Sequence, residues 1–378
     1  MRCCLVLCLL AALCTACGGG GGGESTGGAP FVPAAPPETW AFTGNLPEGV
    51  INCQTAVLDD GRVLAVGGAA EVGVAGSSIF DPTTETWSAG PDPHDVRANG
   101  HSLTKLPDGR VLLVGGAAGD ALTSAEIFDP SDDSFRLLTA QSSVPRAFHN
   151  AILLNGGNVL VVGGHDGTSD RIATDVVERF DPASETFSTV GALASARYGF
   201  GLAKLEGGRV LAAGGFDGNP AMASCEIYDP GRRTWSATGD MNLARGGTTP
   251  LPAITLGDGR VLVVGENYTG AETYDPTSGT WTTTGAMEED RRTWCTAVRL
   301  QDGQALVIGG RGPTGDITNV AEIFDPAANA FRSIGDTNIA RASARAVVLD
   351  DGRVLLIGGN SWFLGSLLVE PTSEISEP

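Results

Sequence analysis

Short apolar runs recur along the chain, and each is followed by a tight turn and then by a second, wholly apolar run. In one copy, residues 151–154 precede the turn at Gly156-Gly157, and residues 159–162 follow it. Apolar runs of four to eight residues bounded by turn signals are typical of buried β-strands. No helical period appears in these segments. The pattern therefore predicts an all-β chain.

The second apolar run of each copy ends at a glycine pair, and this pair gives the length of the repeat. The pairs are Gly67-Gly68, Gly115-Gly116, Gly163-Gly164, Gly214-Gly215, Gly309-Gly310 and Gly358-Gly359, with Gly265-Glu266 in the fifth place. Successive first glycines lie 48, 48, 51, 51, 44 and 49 residues apart. A period of roughly 40–50 residues with four short strands predicts a β-propeller.

Two features predict the local geometry of a unit. The first turn is Asp-Gly or Gly-Gly, which favours a two-residue type I′ hairpin, because both residues tolerate a positive φ. The glycine pair carries no side chains, so we expect another segment of backbone to approach it closely.

The third and fourth strands of a unit carry its large side chains. In the third copy, Glu178 stands two residues before Phe180-Asp181-Pro182, and Phe187 follows on the fourth strand. Asp-Pro is a turn signal, and the aromatic residues can fill the space between neighbouring sheets.

The two ends of the chain predict how the ring closes. The seventh unit shows a degenerate third strand at residues 368–371 and no fourth strand after it. Residues 40–46 resemble the fourth-strand segment at residues 235–241. An N-terminal strand that completes the last blade would remove an exposed sheet edge. We therefore predict seven blades.

The glycine pair, the Glu-x-aromatic-Asp-Pro segment and the spaced tryptophan resemble the kelch repeat from Trp40 to about Glu370. This resemblance implies an all-β fold, a seven-bladed kelch-type β-propeller whose last blade is closed by an N-terminal strand. It implies a binding module or scaffold more often than an enzyme, because the same fold serves many functions.

The N-terminal residues indicate export. A basic start and an apolar run to Ala16 are typical of a signal peptide over residues 1–16, and Gly/Pro-rich residues 17–38 form a tether to a propeller at 39–378. Ala16-Cys17-Gly18 resembles the cleavage site of bacterial lipoproteins, in which Cys17 would be lipidated, although Cys14 stands where leucine is usual. By the same resemblance Gly18 favours the outer membrane. Ordinary secretion is the alternative.

Composition and net charge limit the classes of partner that we expect for this chain. The formal net charge is −20, and only two of the 24 basic residues, Lys105 and Lys204, are lysines. Such acidity argues against nucleic acid as a partner. Cys53, Cys225 and Cys295 form no disulfide framework, and we expect small buried thiols. We predict a monomer that contacts a membrane through its lipid anchor alone.

Arginines recur in the loops that lead from one unit to the next, at Arg97, Arg146, Arg197, Arg245, Arg292 and Arg341. One interpretation is a ring of guanidinium groups that binds an acidic glycan, an acidic peptide or an envelope protein. The other is a set of structural ion pairs with the equally regular Glu126, Glu178, Glu226, Glu272 and Glu322. Trp294 stands outside the repeat framework and beside two cations. The predicted ligand-binding residues are Arg146, Arg197, Arg292, Trp294 and Arg341.

An enzyme is the alternative function. His101, His149 and Cys53 start equivalent inner strands and could in principle hold zinc or copper, but we predict no metal and no cofactor. By resemblance, kelch-type sialic acid mutarotases use a glutamate and an arginine in the channel for acid–base catalysis. Glu266 and Arg292 are the candidates for these two roles in this chain. By resemblance, copper oxidases of the galactose oxidase type need a cross-linked Tyr–Cys pair, another tyrosine and two histidines. This chain has only four tyrosines, and two of them, Tyr228 and Tyr274, belong to the repeat framework. We assign no catalytic residue.

Overall fold

The computed structural model describes residues 39–70, 76–218, 220–247, 249–265, 270–288, 293–363 and 366–377. These residues form strands β1 to β30 and one 3-10 turn at Glu206–Gly208. Seven four-stranded antiparallel sheets and one two-stranded hairpin account for the strands. No helix in the described segments is long and apolar enough to cross a membrane.

Six blades take their four strands in chain order, from the channel outwards. The first is β2 (Gln54–Val57), β3 (Val63–Val66), β4 (Ser77–Asp81) and β5 (Thr86–Ala89), and the second is β6 (Asn99–Lys105), β7 (Val111–Ala117), β8 (Ala125–Asp129) and β9 (Ser134–Leu137). The third is β10 (Asn150–Leu153), β11 (Val159–Val162), β12 (Val176–Asp181) and β13 (Thr186–Ala192), and the fourth is β14 (Gly201–Lys204), β15 (Val210–Ala213), β16 (Cys225–Asp229) and β17 (Thr234–Ala237). The fifth is β18 (Ala253–Thr255), β19 (Val261–Val263), β20 (Gly270–Asp275) and β21 (Thr280–Ala286), and the sixth is β22 (Thr296–Arg299), β23 (Ala305–Ile308), β24 (Ala321–Asp325) and β25 (Ala330–Ser333).

The seventh blade joins the two ends of the described chain. It consists of β26 (Arg345–Val348), β27 (Val354–Ile357), β30 (Ser373–Glu377) and β1 (Thr39–Phe42), while β28 (Asn360–Phe363) and β29 (Ser366–Val369) form the separate hairpin. The innermost strands of neighbouring blades contact each other all the way round, from β2 through β26 and back to β2. The predicted seven-bladed propeller is confirmed.

The N-terminal strand closes the ring as predicted. β1 pairs antiparallel with β30, with Trp40 opposite Ser376. In the first blade the same place on the third strand holds Phe80, which pairs with Trp87. Because the seventh blade has a small serine there, Trp40 brings the only large side chain of that pair and packs into the core between blades six and seven.

The third strand of the seventh blade differs from the prediction. We expected it at residues 368–371, but the third strand is β30, and residues 368 and 369 belong to the β28–β29 hairpin. The hairpin interrupts the repeat between the glycine pair and the recurring glutamate, which is Glu374. The apolar residues of the hairpin therefore resemble a strand of the blade without being part of it.

The first hairpin of a blade is also different from the predicted two-residue turn. The Gly61 amide donates to the Leu58 carbonyl (3.1 Å), and the Leu58 amide donates to the Arg62 carbonyl (2.8 Å). Gly61 has a φ of 86°, whereas Asp60 does not have a positive φ. A type I′ turn needs a positive φ at both central residues, so this is a three-residue loop with glycine at its left-handed position.

The glycine pairs allow the close approach that we predicted. Gly115 and Gly116 have φ values of 59° and 92°. A Cβ on Gly115 would lie 2.5 Å from the Arg146 carbonyl oxygen, and one on Gly116 would lie 2.7 Å from the Cβ of His101. Any side chain at these two positions would push the next loop or the inner strand away.

The hydrophobic core lies between the blades. Leu112 and Val114 on one blade pack with Val161 and Phe180 on the next, and all four are almost fully buried. The second strands are buried on both faces, as their continuous apolar runs predict. Each blade is therefore stabilised mainly by its two neighbours.

Replacing Trp40 with alanine should destabilise the propeller by about 3–5 kcal/mol, because it empties a core position. Trp40 is 8 % exposed, whereas Phe42 on the same strand is 54 % exposed. Phe42→Ala is therefore the matched control and should change the free energy of unfolding little. Urea denaturation measures both. Equal effects of the two variants would contradict closure of the ring by β1.

Candidate functional site

Arg146 joins two neighbouring blades. Its carbonyl accepts from the Gly116 amide of the preceding blade (2.7 Å). Its guanidinium donates to the Gly163 carbonyl (2.7 Å) and to the Glu178 carboxylate (2.8 Å) of its own blade. Arg146 has no solvent exposure. We call this arrangement of second-glycine amide, arginine and glutamate the arginine clamp.

The clamp recurs around the ring. Among the described residues, the other ion pairs of this kind are Arg97–Glu126 (2.9 Å), Arg197–Glu226 (2.9 Å), Arg245–Glu272 (3.3 Å) and Arg341–Glu374 (2.6 Å). The carboxylate also holds the incoming loop, since Glu126 accepts from the backbone amides of His94 and Asp95. Burial lowers the pKa of the Arg146 guanidinium, while the charge of Glu178 opposes that shift.

The first blade lacks both the arginine and the glutamate of the clamp. Its position equivalent to the arginine is Val50, whose carbonyl still accepts from the Gly359 amide (2.7 Å). Its position equivalent to the glutamate is Ser78. Removing one member of a buried ion pair would leave the other charge unpaired, so the loss of both together is physically consistent.

The predicted ligand-binding arginines that the structure describes are thus buried inside the propeller. Arg146, Arg197 and Arg341 are buried, and their guanidinium groups contact a glutamate of their own blade. Because a ligand has no access to them, we assign them to the ion-pair interpretation that the sequence also allowed. Arg292 lies outside the described residues, as does Glu266.

The two histidines on the inner strands are neutral and buried. His101 Nε2 donates to the Val66 carbonyl (3.0 Å), and burial lowers the pKa of His101 to about 3. His149 Nε2 lies 2.8 Å from Ser102 Oγ. Among the described residues, no group of three or more His, Cys, Asp or Glu side chains could hold a metal ion.

Two of the three cysteines of the propeller are buried, as the sequence predicts. Cys53 and Cys225 are buried thiols, and Cys295 is half-buried. Burial raises the pKa of Cys53 to about 11 and that of Cys225 to about 12, so both remain protonated at neutral pH.

The inner strands enclose a central channel. A cavity of about 210 Å³ in it is lined by residues from all seven blades. The residues at its mouth directly precede the equivalent positions that Cys53 and His101 occupy in their blades: they are Asn52, Gly100, Phe148, Gly199, Pro250, Trp294 and Ser343. All of them except Pro250 have a positive φ.

Two aromatic residues in this ring adopt a conformation that disfavours them. Phe148 has a φ of 53° and Trp294 a φ of 58°, where two other blades have glycine. A bulky side chain in the left-handed region costs of order 1–3 kcal/mol, and such strain concentrates at ligand sites. Sequence analysis identified Trp294 but missed Phe148, although its position varies between repeats as a binding position would.

Both aromatic residues lie among polar and cationic groups. The Phe148 ring stacks on His165, with centroids 5.4 Å apart, and the guanidinium of Arg311 lies 5.5 Å from the Trp294 ring. A second cavity of about 270 Å³ at the mouth is lined by Phe148, Trp294 and the exposed Arg171, among others. Stacked rings beside guanidinium groups can bind a peptide or a sugar that carries negative charge.

Comparison with known proteins agrees with the repeat geometry. The Kelch motif family model matches residues 148–193 and 207–242. Kelch-like protein 4 from Homo sapiens is 34 % identical over 74 residues, which are 20 % of this chain and 10 % of that protein. The seven four-stranded blades complete the evidence. The chain is a kelch-repeat β-propeller.

A solved structure shows the same fold as this kelch propeller. It is a fungal alcohol oxidase of the AA5 family in complex with copper, with a TM-score of 0.68, 17 % identity, and coverage of 90 % of this chain and 76 % of that chain. At this identity the likeness shows the fold alone. The kelch propeller spans only a tenth of the length of the human relative that it matches.

Replacing Arg146 with methionine should destabilise the kelch propeller by about 3–5 kcal/mol, because Glu178 would be left as an unpaired buried charge. The control is Arg232→Met at a surface ion pair, where the arginine side chain is 81 % exposed, and we expect little change there. The double variant Arg146→Met/Glu178→Leu should recover part of the loss. Urea denaturation tests all three, and a harmless Arg146→Met would contradict the clamp.

Proposed function

We propose that this chain is an exported, lipid-anchored protein that binds an acidic segment of a partner protein at the channel mouth. A kelch propeller suggests a protein-interaction module. The observation that carries the proposal is the pair of strained aromatic residues, Phe148 and Trp294, which line both cavities at the mouth.

Charge supports an acidic ligand. The whole chain carries a formal charge of −20, yet the described residues that line the channel cavity and the mouth cavity include arginines and no carboxylate. Arg311 over Trp294 offers a cation next to an aromatic surface. Such a mouth favours a partner that presents aspartate or glutamate, because opposite charges steer association and fix orientation.

The accessible mouth replaces the recurring arginines as the contact surface. The clamp arginines are buried, whereas Trp294 is partly exposed and lines both cavities. Of the described residues in the predicted ligand-binding set, Trp294 is the one that we retain. We propose Phe148, Arg171 and Arg311 as its companions.

The cellular location is part of the proposal. A signal peptide over residues 1–16, lipidated Cys17 and a tether to residue 38 would place a monomeric propeller at the outer membrane of a bacterium. These residues lie outside the described part of the chain. A tether of about 20 flexible residues would let the channel mouth reach a partner within the envelope.

Replacing Phe148 and Trp294 together with glycine should reduce capture of the partner from a bacterial envelope extract at least tenfold. The variant should be no less stable than the wild type, because glycine adopts a positive φ without strain. The control is Phe42→Ala, which removes an exposed aromatic from an outer strand. Immobilised full-length protein and thermal denaturation give the two readouts.

Two outcomes would overturn the mouth as the protein-binding site. One is undiminished capture by the double glycine variant. The other is capture of an anionic polysaccharide, such as polygalacturonate, in place of a protein, which would assign the mouth to an acidic glycan.

Replacing Cys17 with alanine should release the protein from the membrane fraction, because the acyl chains provide the anchor. Expression of both forms in a bacterial host with labelled palmitate measures incorporation and fractionation together. The wild type should carry the label and sediment with outer membranes. An unlabelled wild type in the soluble fraction would indicate ordinary secretion.

A further inference from the structure

Arg345 is a half-buried arginine that does not belong to any clamp. It starts the inner strand β26 and lines the central cavity, where it is the one charged side chain among the described lining residues. The same register position holds Gln54, Asn150 and Thr296 in other blades. A cation thus replaces the small or uncharged side chains of the other inner strands.

The charge of Arg345 is not neutralised by the described residues around it. Its Nε donates to the Cys53 carbonyl (3.1 Å), and no ion pair with a described carboxylate is formed. The Cys53 thiol is protonated, because burial raises its pKa to about 11. His101, whose pKa is held at about 3, is neutral. Burial in turn lowers the pKa of Arg345.

Neighbouring groups could complete a site for an anion. Gln54 occupies the equivalent register on β2, which packs against β26, and its side chain also lines the cavity. Its amide can donate beside the guanidinium. A partly desolvated charge without a counter-ion is unfavourable. An anion that pairs with Arg345 in the channel therefore gains more binding free energy than one that pairs with an arginine at the surface. A guanidinium fork fits a carboxylate with two parallel hydrogen bonds.

We propose that Arg345 and Gln54 form a carboxylate-binding site inside the channel, beneath the mouth. This site deepens the proposed function and rests on it, because the partner bound at the mouth would supply the carboxylate. The carboxylate would belong to an acidic side chain or to a chain terminus of the partner that reaches into the channel. The cavity of about 210 Å³ accommodates such a group.

Acetate is the probe that tests this site in the full-length protein. Saturation-transfer NMR should show a saturable acetate signal, and the neutral isostere acetamide should give none. Arg345→Gln should reduce the acetate signal at least tenfold. The matched control is Arg299→Gln, since Arg299 also lies on an inner strand, β22, but is exposed.

A second variant keeps the test decisive if Arg345→Gln does not fold. Gln54→Glu places a carboxylate beside Arg345 and should both abolish the acetate signal and raise the melting temperature. The proposal is overturned by the absence of an acetate signal in the wild type, by an equal signal in Arg345→Gln, or by unchanged acetate binding in Gln54→Glu. Because acetate is used in place of the partner, these results would not contradict the proposal that the channel mouth binds a partner protein.

Discussion

In five of the six glycine pairs, the amide of the second glycine donates to the carbonyl of an arginine in the following loop, and the ring depends on this hydrogen bond. It requires a backbone with positive φ and no Cβ, as at Gly116, and it places Arg146 where its guanidinium reaches Gly163 and Glu178 of its own blade. Glu178 then neutralises the buried charge. The three groups act together, since loss of one leaves a charge or a backbone group unsatisfied. The first blade, with Val50 and Ser78, has replaced both charged members.

The residues that hold the blades together differ from the residues that line the channel mouth. The clamp uses the regular arginines for stability, while a residue further along the same loop lies at the channel mouth, with a left-handed backbone in every blade except the fifth. Four of the blades place a residue other than glycine or proline there, and two of these, Phe148 and Trp294, are large and aromatic. The residues at the channel mouth can therefore vary without disturbing the contacts between blades. Arg345, two residues after the mouth residue Ser343, adds a charge to the channel that no clamp needs.

Sequence analysis predicted the fold better than the site, for physical reasons. Periodic apolar runs and glycine pairs depend on burial and backbone sterics, so the blades and closure by Trp40 could be predicted. The turn at Gly61 could not, because Asp-Gly suits both a two-residue and a three-residue loop. The β28–β29 hairpin carries apolar residues like a third strand, which hid β30. Arginine accessibility was undetermined, since burial of a guanidinium depends on a partner distant in sequence.

Native-state hydrogen exchange of the second-glycine amides tests the clamp most directly. The amides of Gly116, Gly164, Gly215 and Gly310 each donate to a clamp arginine. If the clamp holds the ring together, these amides will exchange only through global unfolding and with one common free energy. Exchange of these glycines at the rate of loop amides, while the β-strands remain protected, would contradict the account.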